Sequence, residues 1–236
     1  MNQMAASSNQ DAAELAKFGA LAHGFWDRSG PFRTLHDIEP ARVAWIAERV
    51  ALPGARVADV GCGGGLLAES LTRLGARVTA IDLALDMLAV ARAHAASEGL
   101  QIDFREQSAA ALAAAEAGRF DAVCCMEMIE HVPEPAALLQ DLARLLRPGG
   151  TLIVSTLNRN VRSFLGAIVG AEYVFGLVPR GTHEYARLVR PAELAAYARA
   201  AGLTLHELTG LQYNPLTRTA RPGGAPTINY LARFTA

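Results

Sequence analysis

Cysteine is scarce in this chain: three in 236 residues, at Cys62, Cys124 and Cys125. An odd count with two adjacent members builds neither a disulfide framework nor a four-thiolate zinc site. It suits a reducing cytosol. Surplus charge is also missing, because 22 Lys and Arg nearly balance 23 Asp and Glu, for a formal net charge of −1. Nucleic acid is therefore not an expected partner, since phosphate neutralisation needs a concentrated basic face. The opening MNQMAASSNQDAAELAK has no basic start followed by an apolar stretch, so no secretory signal is expected. No apolar run reaches the roughly 18 residues that a spanning helix requires. The expectation is a soluble, cytoplasmic protein, with contact at a membrane surface left open. Internal repeats and low-complexity linkers are absent too. We expect one domain over residues 1–236, with a helical cap at 1–51 and an apolar helical insertion at 161–185.

What is present is an alternation of short β-rich runs with Ala- and Leu-rich helical stretches. Strands are expected at 56–60, 77–81, 102–106, 120–126 and 151–155, with helices at 65–74, 85–97 and 135–146 between them. Arg147-Pro148-Gly149-Gly150 reads as a helix stop before the fifth strand. Further on, a helix follows Pro191 to about 201, and strands fall near 203–211 and 227–234. Before this array, a helix is expected near 40–50. The fold class is α/β, a mostly parallel sheet with helices on both faces.

Between the first strand and first helix lies Asp59-Val60-Gly61-Cys62-Gly63-Gly64-Gly65. Glycines there let the backbone turn sharply and approach a ligand with no Cβ in the way. The dinucleotide spacing G-x-G-x-x-G fails from Gly61, because residue 66 is Leu. The shorter spacing suits a nucleoside without a pyrophosphate. Asp82 closes the second strand about 20 residues later, where a carboxylate can accept from both ribose hydroxyls. Helix capping is the plainer use for it. Asp59 can face a ligand's ammonium or fix the glycine turn, to which Gly61 and Gly63 lend their backbone.

The glycine turn, Ile81-Asp82 and Leu146-Arg147-Pro148-Gly149-Gly150 resemble the signature regions of class I S-adenosylmethionine (SAM) methyltransferases. That resemblance implies a Rossmann-like three-layer fold whose seven-stranded sheet has only its last strand antiparallel. A closer resemblance, to the ubiquinone-biosynthesis O-methyltransferases, rests on segments outside those signatures. They include Cys125-Met126-Glu127-Met128-Ile129-Glu130-His131-Val132-Pro133, Ser155-Thr156-Leu157-Asn158-Arg159-Asn160, Gly170-Ala171-Glu172-Tyr173, Val178-Pro179-Arg180-Gly181-Thr182-His183 and Gly210-Leu211-Gln212-Tyr213-Asn214-Pro215. It covers the chain from about Phe18 onward and departs mainly in the extreme N-terminus and a final loop, 218–225. The resemblance implies SAM as cofactor, contacted by Arg42, Gly61, Asp82 and Met126. Arg42 suits the cofactor carboxylate, and Met126 gives soft packing against adenine or sulfonium. The implied acceptor is a polyprenyl phenol or quinol. Anionic membrane lipids and other proteins of ubiquinone synthesis are the further partners it suggests.

Methyl transfer to a phenol needs an aligned acceptor and removal of a proton whose pKa is about 10 in the free phenol. Glu127, Glu130 and His131 follow the fourth strand, at the carboxyl edge where open α/β sheets carry ligands. Together they form a candidate site for a divalent cation such as Mg²⁺, which would acidify a coordinated catechol. Without a metal, His131 is the candidate general base. Tyr213-Asn214-Pro215, Phe25 and Trp26 are candidates for the edges of an acceptor pocket, while His94 and His206 have no expected role. Residues 161–182 are apolar and suit either docking on a lipid surface or a packed lid. Two alternatives stay open: a methyltransferase for another small phenol or acid, and an idle cofactor- or lipid-binding partner in a biosynthetic assembly. A nicotinamide-dependent dehydrogenase is disfavoured by the glycine spacing.

Overall fold

The computed structural model describes residues 9–160 and 185–236. Two helices come first, α1 (Ala12–Leu21) and α2 (Arg33–Ala47). The alternating array follows: β1 (Arg56–Val60), α3 (Leu66–Arg73), β2 (Arg77–Asp82), α4 (Leu85–Ser97), β3 (Asp103–Glu106), α5 (Ala109–Glu116), β4 (Phe120–Met126), α6 (Pro135–Leu145) and β5 (Leu146–Leu157). The chain closes with α7 (Pro191–Ala200), β6 (Thr204–Asn214), β7 (Thr219–Pro222) and β8 (Asn229–Thr235).

The strands form one sheet in the order β3-β2-β1-β4-β5-β8-β6-β7. β1 to β5 pair in parallel, whereas β8 runs antiparallel to both β5 and β6. Because β1 and β4 are neighbours with chain order reversing between them, the switch point lies at their carboxyl ends.

Period-two alternation decides which layer each strand residue joins. Val57, Ala122, Cys124 and Ile153 pack with Trp45 and Ile46 of α2 and Leu67 and Leu71 of α3. Their neighbours Ala58, Val123, Cys125, Leu152 and Val154 pack with Leu112 of α5, Leu139 and Leu142 of α6 and Leu194 of α7. Both faces are thus buried, which is why these strands read as near-continuous apolar runs.

Three differences from the expected layout have local causes. The loop expected at 218–225 contains an eighth strand, β7, paired antiparallel with β6 from Leu211↔Pro222 to Asn214↔Thr219. Arg218, at φ 52°, makes the tight turn, and Pro222 sits on an edge strand where a missing donor costs least. α2 begins at Arg33, well before Pro40, and carries that proline inside. Pro40 is exposed, on the outer face of the helix, and cannot donate to the carbonyl of His36 one turn earlier. β5 also starts earlier than expected, with Leu146 opposite Phe120 before a register shift, and Gly149 at φ 73° absorbs the irregularity. Residues 161–184, which hold most of the expected apolar insertion, lie outside the described residues.

Candidate functional site

The turn after β1 depends on its glycines for two distinct reasons. Gly61, Gly63 and Gly65 adopt φ of 75°, 52° and 86°, a region that favours residues without a Cβ. At Gly61 and Gly64 space is the constraint: added Cβ atoms would stand 2.5 Å from Cγ of Met128 and 2.2 Å from the Phe25 ring. Phe25 and Trp26, expected near an acceptor pocket, lie against this turn. The Trp26 indole donates to the Gly64 carbonyl at 3.1 Å and stacks on His94 with centroids 3.4 Å apart. His94 in turn bonds the buried Glu69.

Asp82 holds the same turn from β2. One carboxylate oxygen accepts the Gly63 amide at 2.8 Å and the other accepts the Ala84 amide at 2.8 Å. It therefore braces the turn and the approach to α4, whose N-cap is Ala84 with no side-chain cap bond, rather than capping that helix itself. Burial pushes its pKa up despite those amides.

Asp59, on β1, is 2% exposed. Its carboxylate takes the Ala68 amide, and Oδ2 has no partner. Burial, then the charges of Glu39 and Asp82, push it up to about 8. Glu39 of α2, also buried, is pushed up to about 7 by burial, against the pull of Arg42. One turn on from Glu39, Arg42 donates to Oε1 of Glu127 at 2.6 Å, while its Nε lacks a partner. Asp59 and Glu39 thus share the field of one guanidinium that Glu127 already engages.

β4 brings up the other half. Met126 ends the strand and packs on the layer of α2 and α3. Glu127 follows at φ 51°, a strained setting for a residue with a Cβ. It is held there by Arg42, by the Ser155 hydroxyl at 2.6 Å and by the Asn229 amide at 3.2 Å. Glu130, 3% exposed, accepts from Thr156 at 2.8 Å, and burial with the nearby Glu127 charge favours its neutral form. His131 ends the 3₁₀ turn Ile129–His131, and its Nδ1 pairs with Oε2 of Glu14 on α1 at 2.6 Å.

The expected Mg²⁺ set of Glu127, Glu130 and His131 finds no support in this arrangement. Among the described residues, no three carboxylate, imidazole or thiol side chains stand together so as to hold a metal ion. The three bond to partners on β5, β8, α2 and α1 rather than to one another. This donor set does not fit a divalent cation.

Tyr213, a candidate for the acceptor edge, has a structural contact as well. Its hydroxyl donates to Asp37 of α2 at 2.7 Å, and Arg218 grips the same carboxylate, so the β6–β7 hairpin is clamped to α2. His206 bonds Thr235. Reading the sequence missed Glu14, Glu39, Ser155 and Asn229. Only Glu39 had a signal, three residues before Arg42 on the same helical face.

A doubly wound sheet with a phosphate-free glycine turn, an acid ending β2 and polar groups at the β4 edge defines a class I SAM methyltransferase. Solved structures bear out that fold. A SAM-dependent methyltransferase of Thermotoga maritima matches at TM-score 0.67 and 20% identity, covering 94% of this chain and 99% of that one. Magnesium protoporphyrin IX methyltransferase of Synechocystis PCC 6803, solved with bound S-adenosylhomocysteine (SAH), matches at 0.65 and 22%, covering 89% and 87%. The pattern of a methyltransferase domain fits residues 58–154.

Curated relatives narrow the assignment. The ubiquinone biosynthesis O-methyltransferase of Xanthomonas campestris pv. campestris is 52% identical over 231 residues, 98% of this chain and 97% of that protein. Its counterpart in Thiobacillus denitrificans is 53% identical over 224 residues, covering 95% and 97%. The chain belongs to the family of ubiquinone biosynthesis O-methyltransferases.

Proposed function

We propose that this protein methylates a phenolic oxygen on polyprenylated catechol and quinol intermediates of ubiquinone synthesis, 2-polyprenyl-6-hydroxyphenol and 3-demethylubiquinol. One observation carries the reading. Identity to enzymes named for that pathway extends over 98% of the chain, well beyond the 58–154 stretch that methyltransferases share. The segments that must shape the acceptor side are therefore included.

SAM supplies a methyl on a sulfonium, which leaves as a neutral thioether. The residues present fit it. The backbone at Gly61 and Gly63 can approach the ligand closely, and Asp82 stands where ribose hydroxyls can donate. The unpartnered Oδ2 of Asp59 suits the ammonium, and the unpartnered Nε of Arg42 suits the carboxylate. Met126 offers its thioether to the adenine side.

His131 accepts the phenolic proton in this reading. Burial pulls its pKa down, but the Glu14 bond and the charges of Glu130 and Glu14 outweigh that pull and Lys17's opposing charge. The imidazole ends above its ordinary value, which strengthens it as a base and requires it to be neutral before each turnover. Phe25 and Trp26 seal the turn from the N-terminal side and limit water.

Among the described residues no helix is long and apolar enough to cross a membrane. The apolar sequence at 161–182 supports peripheral docking on anionic lipid, near a substrate with a membrane-held tail. Liposome cosedimentation with and without that segment tests this, and equal binding by both forms rejects it.

The function itself is tested with methyl-labelled SAM and a short-tailed demethylubiquinol. We expect label in a ring methoxy group. Transfer to other phenols but not to this ring would overturn the assignment.

A further inference from the structure

Resting on His131 as the base, we propose that Glu14 is its positioning residue: α1 delivers the carboxylate that orients the imidazole, so the base is complete only when this helix is seated.

The pairing spans 117 residues of sequence and closes at 2.6 Å between Nδ1 and Oε2. A carboxylate on Nδ1 keeps the proton on that nitrogen, which makes Nε2 the basic one. The Phe18 ring, one turn further along α1, meets the imidazole edge-on at 5.1 Å and 89°, fixing its plane. Glu14 is itself aimed: Lys17 holds its Oε1 at 3.3 Å, and Oε2 goes to the histidine. The histidine bond, ahead of burial, keeps the Glu14 carboxyl below its ordinary range, so it is charged when it bonds.

The helix is attached in a way that suits this task. α1 has no fully buried residue, and Leu15, Phe18 and Leu21 are only partly covered. Polar ties at its start add to that partial packing. Asn9 exchanges two hydrogen bonds of 2.9 Å with the backbone of Glu134, and Asp11 pairs with Arg187 at 2.9 Å. Both ties are independent of His131. Among the groups facing the imidazole are Glu14, Lys17 and Phe18 from α1 and Glu130 from its own turn.

The experiment follows methyl transfer from labelled SAM to a short-tailed catechol against pH, with SAM affinity measured alongside. His131→Ala should abolish transfer and leave SAM affinity unchanged. Glu14→Ala should lower kcat at least about 10-fold, because the imidazole loses the group that fixes its tautomer and orientation, with KM for SAM unmoved. Glu14→Gln keeps an acceptor for Nδ1–H but removes the charge. It should hold kcat within several-fold and shift the acid limb of the profile to lower pH. Asn9→Ala loosens the same helix without touching the imidazole and should leave that limb in place. Full activity in His131→Ala overturns the base reading itself. Loss in His131→Ala, with the kcat and acid limb of both Glu14 variants unchanged, overturns only the role of Glu14. An equal fall in Glu14→Ala and Asn9→Ala, with no limb shift in Glu14→Gln, makes the contact merely structural and also rejects it.

Discussion

SAM binding should expel a proton from Asp59. This carboxyl is buried, has an unpartnered oxygen and is pushed up to about 8 by burial and by Glu39 and Asp82. An ammonium arriving at Oδ2 favours the ionised form, so the ligand selects the deprotonated state. The sign follows directly. Below pH 8 the free protein holds the proton and must release it, so affinity rises with pH, then flattens as the free carboxyl itself ionises. With the free value at 8, affinity should increase about ninefold from pH 6 to pH 7, roughly 1.3 kcal/mol. About 0.9 proton should leave per SAM bound at pH 7. Calorimetry in two buffers of different ionisation enthalpy reads both quantities. Asp59→Asn should flatten the slope. Glu39→Gln should keep it but lower its midpoint, because one of the charges raising Asp59 is gone. A wild-type affinity equal at pH 6 and pH 7, with no proton released, would refute the reasoning.

Other predictions follow from single contacts. Gly64→Ala should impair SAM binding by driving a Cβ into the Phe25 ring, and Phe25→Leu in the same chain should restore part of it; binding by both variants gives the readout. Tyr213→Phe should cost about 1 kcal/mol in denaturant unfolding, with kcat unchanged, because the lost bond to Asp37 clamps the β6–β7 hairpin and touches no reacting group. The acid limb of kcat/KM should lie above pH 6.5, since the base must be neutral and its folded value is raised. Glu130→Gln should raise stability more at pH 8 than at pH 5. The folded state favours a protonated Glu130, so ionisation at high pH penalises the wild type alone, and thermal melts at the two pH values test it.

The central α/β array was legible because its signals are local. Period-two apolar runs and the glycines after β1 mark those elements without reference to anything distant. The eighth strand was hidden because β7 is four residues at an edge, where pairing with β6 rather than apolar pattern makes the strand. The site divides the same way. Gly61, Gly63 and Asp82 are read from one strand–turn–helix unit and the strand beside it. The roles of Glu127 and His131 were not legible, because their partners Arg42 and Glu14 lie 85 and 117 residues away. Five residues containing two acids and an imidazole suggest a metal site in sequence. In space, each of those groups is bonded to partners on other elements.

A crystal structure with SAH and a short-tailed catechol bound together tests the central claim most directly. The nucleoside should lie over Gly61 and Gly63 with its ribose at Asp82, and an acceptor oxygen should stand within hydrogen-bond reach of His131. A catechol oxygen remote from that imidazole, or a nucleoside bound away from the β1 turn, would contradict the account.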